Sequence, residues 1–448
     1  MATSVAYAAA SNKHAPKSSR IADLLDQQAF EAICQEQDYH WREQKLGPGE
    51  TMRHFAWQIL MGNVSCDAVE HHSNGTFTSA AYCQARQRLP LSALSELSDR
   101  ISRTVIAHAC RGGSQAEHLW RGHRVWRIDG SGAQLADSPE VRAYFGCSGK
   151  QKPGCGYPTA HLLLLTGAAG VGMKMICSPL RCGDMTHATG MHECLQAGDV
   201  LLGDGQFGGW GHLQQLQRQQ LHGVFPSHHS RTIGWGRNAE HGPNRRFIKT
   251  LGYRDQLVEY RKPQQRPAWM DKKTFEQAPQ WLRVREVKRW VTVGGVGREI
   301  IVVTTLLDDK KYPAKKLVKL LATRWLIETQ LRSLKTTMGM EQLKCKSVEG
   351  VLKELLMYLI VYNLLRLLML QAAQRQGVPL ERVSFADALA RLRWGDINES
   401  WVDLEVVPLR EGRVEPRVVK RRPKAFARMT QPRAKLRQQL LERRRMAA

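Results

Sequence analysis

Three acidic residues in this chain could bind a metal ion, as their neighbours and positions in the sequence suggest. Asp129 follows the run at residues 125–128, and Asp204 follows the short apolar run at residues 200–202, between two glycines. Glu328 lies in a stretch whose apolar residues recur at helical spacing. Together the three residues would form a three-carboxylate set, and hard oxygen ligands of this kind suit Mg²⁺ or Mn²⁺.

Cations accompany Glu328 along the chain. No helix breaker falls between Leu317 and Lys335, so the pattern predicts one continuous helix. At about 100° per residue, Arg324, Glu328, Arg332 and Lys335 fall within an arc of roughly 80°. The apolar stripe beside them comprises Leu320, Ile327, Leu331 and Leu334. The carboxylate could hold a metal and the cations could hold phosphates. An ordinary amphipathic helix with spaced surface charges is the alternative.

Two predicted strands would position the aspartates. In residues 125–131, Trp126 and Ile128 fall on one face and Asp129 falls on the other. Residues 200–202 are apolar throughout, as expected for a strand that is buried on both faces. The three carboxylates would therefore come from two strands and a helix that are distant in the sequence.

The order Asp129, Asp204, Glu328 resembles that of the DDE transposases. The helix is similar to the Tyr-x2-Arg-x3-Glu-x6-Lys signature of the insertion-sequence-4 group, with Arg324, Glu328 and Lys335 at the matching positions. Leu321 stands where that signature has Tyr. The resemblance extends over roughly residues 50 to 435, and it includes residues 81–86, 154–156, 312–314 and 420–424.

The resemblance implies metal-dependent DNA cleavage at transposon ends, followed by strand transfer to target DNA. Asp129, Asp204 and Glu328 would be the catalytic ligands of two Mg²⁺ or Mn²⁺ ions. Arg324 and Lys335 would hold the phosphates beside the scissile bond, with Arg332 on the same helix face. The first freed 3′-hydroxyl either attacks target DNA directly or first forms a hairpin. Leu321 cannot supply the phosphate contact of the motif's Tyr, but the metal site does not depend on it.

The fold class implied by the resemblance is α/β: a ribonuclease-H-like catalytic core with a β-rich insertion, flanked by helical N- and C-terminal regions. The expected parts are a disordered N-terminus at 1–20, a helical DNA-binding domain at 21–115, a catalytic domain at 120–375 and a basic C-terminal region at 376–448. The insertion is expected at about 231–300. The expected strands are 125–131, 159–166, 171–176, 200–202, 224–225, 282–287 and 299–306, and the expected helices include 80–88, 185–197, 210–221 and 349–374.

Basic residues outnumber acidic ones, and the net charge of +25 points to a polyanionic partner. Residues 410–448 carry fourteen Lys and Arg against three Asp and Glu, which favours an arm that contacts phosphates over a solvated basic helix. The candidate DNA contacts outside the signature helix are Arg86, Arg88, Lys420, Arg421, Arg422 and Lys424. The N-terminal helices could instead serve packing or dimerisation.

In some related transposases, aromatic residues of the insertion stack on a base. The candidates here are Trp235, Trp269, Trp281 and Trp290.

Composition also limits the compartment and the cofactors. No secretory signal is visible at the N-terminus, and Asn363 and Arg366 interrupt the apolar stretch at 355–370, so we expect a buried helix rather than a membrane span. The ten cysteines lack a disulfide framework and zinc-ligand spacing, as is typical of reduced thiols inside a cell. Residues 146–150 do not match a Walker A loop, so no nucleotide is expected. We expect a cytoplasmic, nucleoid-associated protein that forms a homodimer on double-stranded DNA.

Two other functions remain open from the sequence. A degenerate relative would bind element ends and act as a repressor without cutting, although the intact Asp129, Asp204 and Glu328 argue against this. A stand-alone nuclease of the same fold would cut DNA without joining it.

Overall fold

The computed structural model describes residues 24–111, 119–147, 154–239, 242–293, 296–394, 404–408 and 431–446. The expected disordered stretch at 1–20 lies outside these residues. So do Lys420, Arg421, Arg422 and Lys424, the basic residues of the predicted phosphate-contacting arm.

The N-terminal part of the chain is helical, as predicted. Its helices are α1 (Gln27–Glu36), α2 (Pro48–Leu60), α3 (Cys66–His72), α4 (Ser79–Arg88) and α5 (Leu91–Arg111). Helix α4 begins one residue before the predicted start, and the Thr78 hydroxyl caps it by accepting a hydrogen bond from the Ala81 N–H. Helices α1, α2 and α5 share one apolar core with the sheet and with a long later helix. The N-terminal helices are therefore packed onto the rest of the protein.

One mixed sheet forms the centre of the described residues. Its strands are β1 (Val125–Gln134), β2 (Thr159–Thr166), β3 (Gly172–Pro179), β4 (Val200–Leu202), β5 (His222–Pro226), β6 (Arg245–Gly252), β7 (Asp255–Arg261), β8 (Trp281–Val293) and β9 (Val296–Thr304). Their spatial order is β3-β2-β1-β4-β5-β9-β8-β7-β6. Strands β1, β4 and β5 are parallel to one another, and the remaining neighbours pair antiparallel.

The remaining helices follow or separate these strands. They are α6 (Pro139–Phe145), α7 (Asp184–Ala188), α8 (Trp210–Arg218), α9 (Lys272–Gln277), α10 (Ala314–Ala322), α11 (Trp325–Arg332), α12 (Val348–Gln376), α13 (Phe385–Trp394) and α14 (Arg433–Met446). The face of β1 and β2 that carries Ala133, Leu162 and Leu164 packs on α11 and α12. The opposite face, with Trp126 and Ile128, packs on α7 and α8. Helices thus cover both faces of the sheet centre.

The segment predicted as a β-rich insertion continues the central sheet. Strands β6, β7 and β8 lie in it, and β9 joins them to the core because Val302, Val303 and Thr304 pair with β5. Two buried ion pairs stabilise this half of the sheet: Arg245 with Glu286, and Arg285 with Asp255. The two Arg285–Asp255 hydrogen bonds are 2.8 and 2.6 Å long, and both carboxylate oxygens of Asp255 therefore have a donor.

Helix α12 confirms the predicted long helix at 349–374. Ser347 caps its start, and Gly377 ends it in the left-handed region, at φ 62°. The helix is long and apolar enough to cross a membrane, but 78% of its most apolar stretch is buried inside the protein. Asn363, one of the two polar residues in that stretch, bonds to the Gly172 backbone on β3. We therefore interpret α12 as a core helix, as the sequence indicated.

Two predicted helices were wrong in their extent. The stretch from Leu317 to Lys335 is divided into α10, α11 and a π-helical turn at Ser333–Thr337. The segment predicted as one helix at 185–197 is instead the short α7 followed by a 3₁₀ turn at Thr189–Cys194. Its buried residues Ala188 and Met191 are three apart, and a 3₁₀ turn places such residues on one side.

Candidate active site

Asp129 lies on β1, and Asp204 lies two residues past the end of the adjacent parallel strand β4. Arg127 of β1 pairs with Leu202 of β4, and each aspartate is two residues further along its strand direction. Because side chains alternate between sheet faces, both aspartates leave the sheet on the face that carries Arg127. Neighbouring strands are about 4.8 Å apart, so both carboxylates leave the same face of the sheet beside the β1–β4 pair.

Each aspartate also bonds to the backbone that follows it. Asp129 Oδ1 accepts a hydrogen bond of 3.0 Å from the Gly130 N–H. Asp204 caps the 3₁₀ turn Gly205–Gly208, and its Oδ1 accepts a hydrogen bond of 2.9 Å from the Gln206 N–H. These bonds limit the rotation of both carboxylates, and each carboxylate keeps lone pairs for a further ligand.

The interruption between α10 and α11 brings Glu328 over β1. At the junction the backbone takes i→i−3 hydrogen bonds: the N–H of Thr323 bonds to Leu320 O, and the N–H of Arg324 bonds to Leu321 O. The Arg127 side chain donates to the Thr323 carbonyl at 3.0 Å and to its hydroxyl at 3.1 Å. The strand that carries Asp129 therefore anchors the start of the helix that carries Glu328.

The basic residues of the signature helix have different partners. Arg324 donates a hydrogen bond of 2.7 Å to Glu328 Oε1, and the two side chains are 25% and 36% exposed. Lys335, in the π-helical turn, donates a hydrogen bond of 3.0 Å to the hydroxyl of Ser131, two residues beyond Asp129 on the same face of β1. Arg332 is exposed at the end of α11. Arg324 and Lys335 thus lie near the carboxylates, while Arg332 points to solvent.

The electrostatics of Asp129 show that the three carboxylates interact. Burial raises the pKa of Asp129 to about 6; the Gly130 N–H and Arg324 oppose this rise, and the charges of Asp204 and Glu328 add to it. Like charges raise a carboxyl pKa only when they lie nearby. The site therefore holds negative charges that destabilise one another.

These residues supply the right chemistry for a divalent cation. Three carboxylates are the hard ligands that Mg²⁺ and Mn²⁺ prefer, and their mutual repulsion is what a cation would relieve. Across the ranges that the structure describes, no group of three or more His, Cys, Asp or Glu side chains is drawn together closely enough to hold an ion. The three carboxylates have the donor chemistry that a divalent cation requires.

Among the predicted DNA contacts, Arg86 is placed in the interior. Its guanidinium donates to Gln58 Oε1 at 2.8 Å and to Cys345 Sγ at 2.9 Å, and it stacks 4.1 Å above the Phe55 ring. The guanidinium is thus engaged inside the protein, and a role of Arg86 in DNA contact stays a prediction. Arg88, two residues later on α4, is exposed and keeps that role as a prediction.

Other predicted positions fall in varied surroundings. Leu321, at the signature's Tyr position, is buried in the apolar cluster beneath β4 and β5. Of the candidate tryptophans, Trp290 is 70% exposed on β8, and Trp281 lies under the Arg246 guanidinium. Trp269 and Trp235 are half-buried. All ten cysteines are free thiols.

Sequence reasoning missed Arg127 and Ser131 as parts of the site. Both share the sheet face of Asp129, and alternation along the strand would have placed them there. No local pattern indicates their partners, because Thr323 is 196 residues from Arg127 and Lys335 is 204 residues from Ser131.

This fold and site place the chain in a known class. The family model described as a transposase DDE domain matches residues 120–364, which is more than half of the chain. The protein belongs to that family.

A named relative makes the assignment more specific. Over 372 residues the chain is 26% identical to "Transposase InsG for insertion sequence element IS4" of Escherichia coli strain K12, covering 77% of each protein. The protein is thus a DDE transposase of the insertion-sequence-4 type, as the sequence resemblance predicted. A solved structure of the piggyBac transposase synaptic complex with hairpin DNA is similar at a TM-score of 0.42 and 10% identity, covering 83% of this chain and 76% of that one. That likeness is too distant to bear on the site.

Proposed function

We propose that this transposase binds the ends of its insertion sequence and cuts and joins DNA at a site formed by Asp129, Asp204 and Glu328. The observation that carries the proposal is the parallel pairing of β1 with β4, whose last pair, Arg127 with Leu202, comes two residues before each aspartate. The Glu328 helix is anchored to β1 through Arg127. The charges of Asp204 and Glu328 both act on Asp129, which supports a common site.

The proposed catalytic core is ribonuclease-H-like. Its supporting observation is the order β3-β2-β1-β4-β5, in which three antiparallel strands precede two strands parallel to the first. We keep the boundaries 21–115, 120–375 and 376–448 as proposed units, although the first two share a core.

Asp129, Asp204 and Glu328 would hold Mg²⁺ or Mn²⁺, as two ions. A bound divalent cation pair supplies an activated water or 3′-hydroxyl and neutralises charge at the leaving oxygen. The protein's own part is to hold the three carboxylates and to bind the phosphates that flank the scissile bond. Arg324 orients Glu328 through their 2.7 Å hydrogen bond, and its remaining N–H groups are donors for phosphate oxygens.

Lys335 is proposed to exchange partners on DNA binding. In the free protein its ammonium bonds to the neutral Ser131 hydroxyl. A phosphate is a stronger partner for a cation than a hydroxyl is, so Lys335 can leave Ser131 for the DNA at little cost. Ser131 would thus hold Lys335 on the correct side of β1 until DNA arrives.

The proposed DNA-binding surface combines Arg88, Arg332 and the C-terminal basic region with Lys420, Arg421, Arg422 and Lys424. The exposed Trp290 is the tryptophan most open to a base among the four candidates. Helix α14 is also exposed and basic, with Arg443, Arg444 and Arg445 in its last turn. We propose double-stranded DNA as the partner, a homodimer in the DNA complex, and a location in the cytoplasm with the nucleoid.

The decisive experiment replaces each carboxylate in turn. Asp129→Ala, Asp204→Ala and Glu328→Ala are each expected to abolish Mg²⁺-dependent nicking of a duplex that carries the element end. Binding to that duplex in a gel shift should persist. Glu341→Ala, which removes an exposed carboxylate just beyond the signature segment, is the matched control and should nick normally. Substantial nicking by any of the three alanine variants would refute the assignment.

The same assay separates the two other functions. A repressor would bind the ends but leave no nicked product even in the wild-type protein. A stand-alone nuclease would cut, but it would form no paired-end complex and no product in which an element 3′ end is joined to target DNA. Joined products that disappear in Asp204→Ala would support the transposase.

A further inference from the structure

A buried ring lies directly behind the two aspartates. Gly203 precedes Asp204, and a Cβ added to it would lie 2.6 Å from Phe207 Cδ2 and 3.0 Å from Ile128 Cγ2. Ile128 in turn precedes Asp129. The fully buried Phe207 ring therefore packs against the backbone beside Asp204, where it also meets the residue before Asp129.

The backbone of Phe207 is held by a histidine. Phe207 belongs to the turn that Asp204 caps, and its carbonyl lies 2.8 Å from Nδ1 of His212 on α8. A carbonyl can only accept, so Nδ1 of His212 carries the proton and donates it. His212 is 1% exposed, which excludes water as a substitute partner.

A second histidine supports the first. Nε2 of His212 lies 2.9 Å from Nε2 of His192, and Nδ1 of His192 lies 2.9 Å from Gln219 Oε1 at the end of α8. His192 is 4% exposed and belongs to the 3₁₀ turn Thr189–Cys194. Because Nδ1 of His212 donates, its Nε2 accepts from the Nε2–H of His192, and Nδ1 of His192 then accepts from the Gln219 amide, whose nitrogen and oxygen exchange places on rotation. These hydrogen bonds run from the Asp204 turn through two buried rings to a separate segment.

Neither histidine serves as a charge. Burial lowers the pKa of His212 to about 3, with a further decrease from His192, and burial lowers the pKa of His192 to about 4. Both rings are neutral at neutral pH. An apolar side chain would fill the space between Phe207 and Phe225 without the cost of burying polar atoms. What the imidazole adds is a directed hydrogen bond to the Asp204 turn.

We propose that His212, supported by His192, is a positioning residue that fixes the Phe207 turn and thereby holds Asp204 and Asp129 in the geometry that binds a divalent cation. This inference rests on the proposed metal site. It assigns to the pair of buried histidines a role in metal affinity and none in DNA binding. It also accounts for the use of polar side chains at a position where packing alone would favour apolar ones.

The test separates hydrogen bonding from shape. His212→Phe keeps a ring of similar size and removes both hydrogen bonds, whereas His212→Asn keeps an N–H close to the position of Nδ1. Binding of Mn²⁺ alone to the free protein is followed by electron paramagnetic resonance, and nicking of the end duplex is titrated with Mn²⁺. We expect His212→Phe to raise the half-saturating Mn²⁺ concentration by about tenfold in both measurements, the usual effect of losing a partner that orients metal ligands. His212→Asn should stay within about twofold of the wild type. End binding in a gel shift should be unchanged in both variants.

His192→Leu tests the hydrogen bond between the two histidines, because it removes the partner of His212 Nε2 but leaves the bond from His212 to the Phe207 carbonyl. It should raise the half-saturating Mn²⁺ concentration by about threefold, which is less than the effect expected of His212→Phe. This variant also keeps the proposal testable if His212→Phe does not fold.

Three results would overturn the proposal: folded His212→Phe with wild-type Mn²⁺ binding, His212→Asn impaired as strongly as His212→Phe, or His192→Leu with unchanged Mn²⁺ binding.

Asp204→Ala in the same titration distinguishes failure of the positioning role from failure of the proposed metal site. If Asp204→Ala binds Mn²⁺ and nicks normally, the metal site itself is wrong. If Asp204→Ala loses both activities while the His212 variants behave normally, only the positioning role is wrong.

Discussion

Asp129→Asn should stabilise the free protein while it abolishes nicking. In the folded protein the pKa of Asp129 is raised from 3.8 to about 6, first by burial and then by Asp204 and Glu328. A raised carboxyl pKa means that the folded state binds the proton more tightly than the unfolded state does. Folding is therefore penalised once the pH is high enough to ionise the group.

The size and pH range of the penalty follow from the two pKa values. The penalty is absent below pH 3.8, grows as the pH rises from 3.8 to about 6, and has its full size above that pH. A shift of this size corresponds to about 3 kcal/mol before screening, and solvent at the partly exposed carboxylate reduces it to about 1 kcal/mol. Asn removes the charge, and its side-chain oxygen can still accept the Gly130 N–H.

The assay is urea unfolding of both proteins at pH 7.5 and pH 4.5 without divalent cations. Asp129→Asn should be more stable by about 1 kcal/mol at pH 7.5 and by about a third of that at pH 4.5, where the folded wild type is already mostly protonated at this site. Adding Mg²⁺ should stabilise the wild type more than the variant, because the cation relieves the same repulsion.

Glu43→Gln, an exposed carboxylate between α1 and α2, is the control for losing one negative charge from a chain of net charge +25. It should change stability little at either pH. If Asp129→Asn gives no gain at pH 7.5, or the same gain at both pH values, then the charge of Asp129 is not destabilising and the reasoning fails.

The other predictions concern basic residues and assembly. Arg86→Ala should destabilise the fold by about 2–4 kcal/mol, because it removes the hydrogen bonds to Gln58 and Cys345 and the stacking on Phe55. Arg88→Ala should leave urea unfolding unchanged and weaken end binding; equal stability of the two variants would contradict the packed placement of Arg86. Truncation after Val407 should weaken binding to end and random duplexes alike and reduce the slope of log K against log salt, and an unchanged slope would make the tail a solvated face. The free protein should be mostly monomeric and should dimerise on end DNA, so a mixture of Glu328→Ala with an end-binding variant should cut although neither cuts alone; an inactive mixture of folded proteins, with scattering that shows one protein per end, would exclude cleavage in trans.

Much of the local structure could be predicted from residue patterns. Alternation in residues 125–131 predicted the Asp129 strand and its faces, and the helix predicted at 80–88 begins one residue earlier, as α4. The apolar stretch in α12 was correctly interpreted as a core helix, since its polar Asn363 needed a partner inside the protein. These features depend on neighbours in the sequence, so a local pattern is sufficient to predict them.

The extent of the signature helix could not be predicted in this way. Nothing in residues 317–335 forbids a continuous helix, yet the helix is interrupted at Thr323, where Arg127, from a strand far earlier in the sequence, bonds to the Thr323 carbonyl and hydroxyl. The interior position of Arg86 depends likewise on Cys345, 259 residues away. A basic residue on a helix looks the same in sequence whether it contacts solvent or a buried partner.

By itself, the sequence determined which residues are proposed to carry the chemistry: three carboxylates in the order of a DDE transposase, a helix with Arg324 and Lys335 at signature spacing, and a basic tail. Residue type and short-range spacing are properties of the chain alone. The tertiary structure decided how these residues meet. Pairing of β1 with β4 brings together the segments that carry Asp129 and Asp204, and the Arg127 contact ties the start of the Glu328 helix to β1. Both depend on contacts between distant segments, which form only when burial of the shared core draws those segments together.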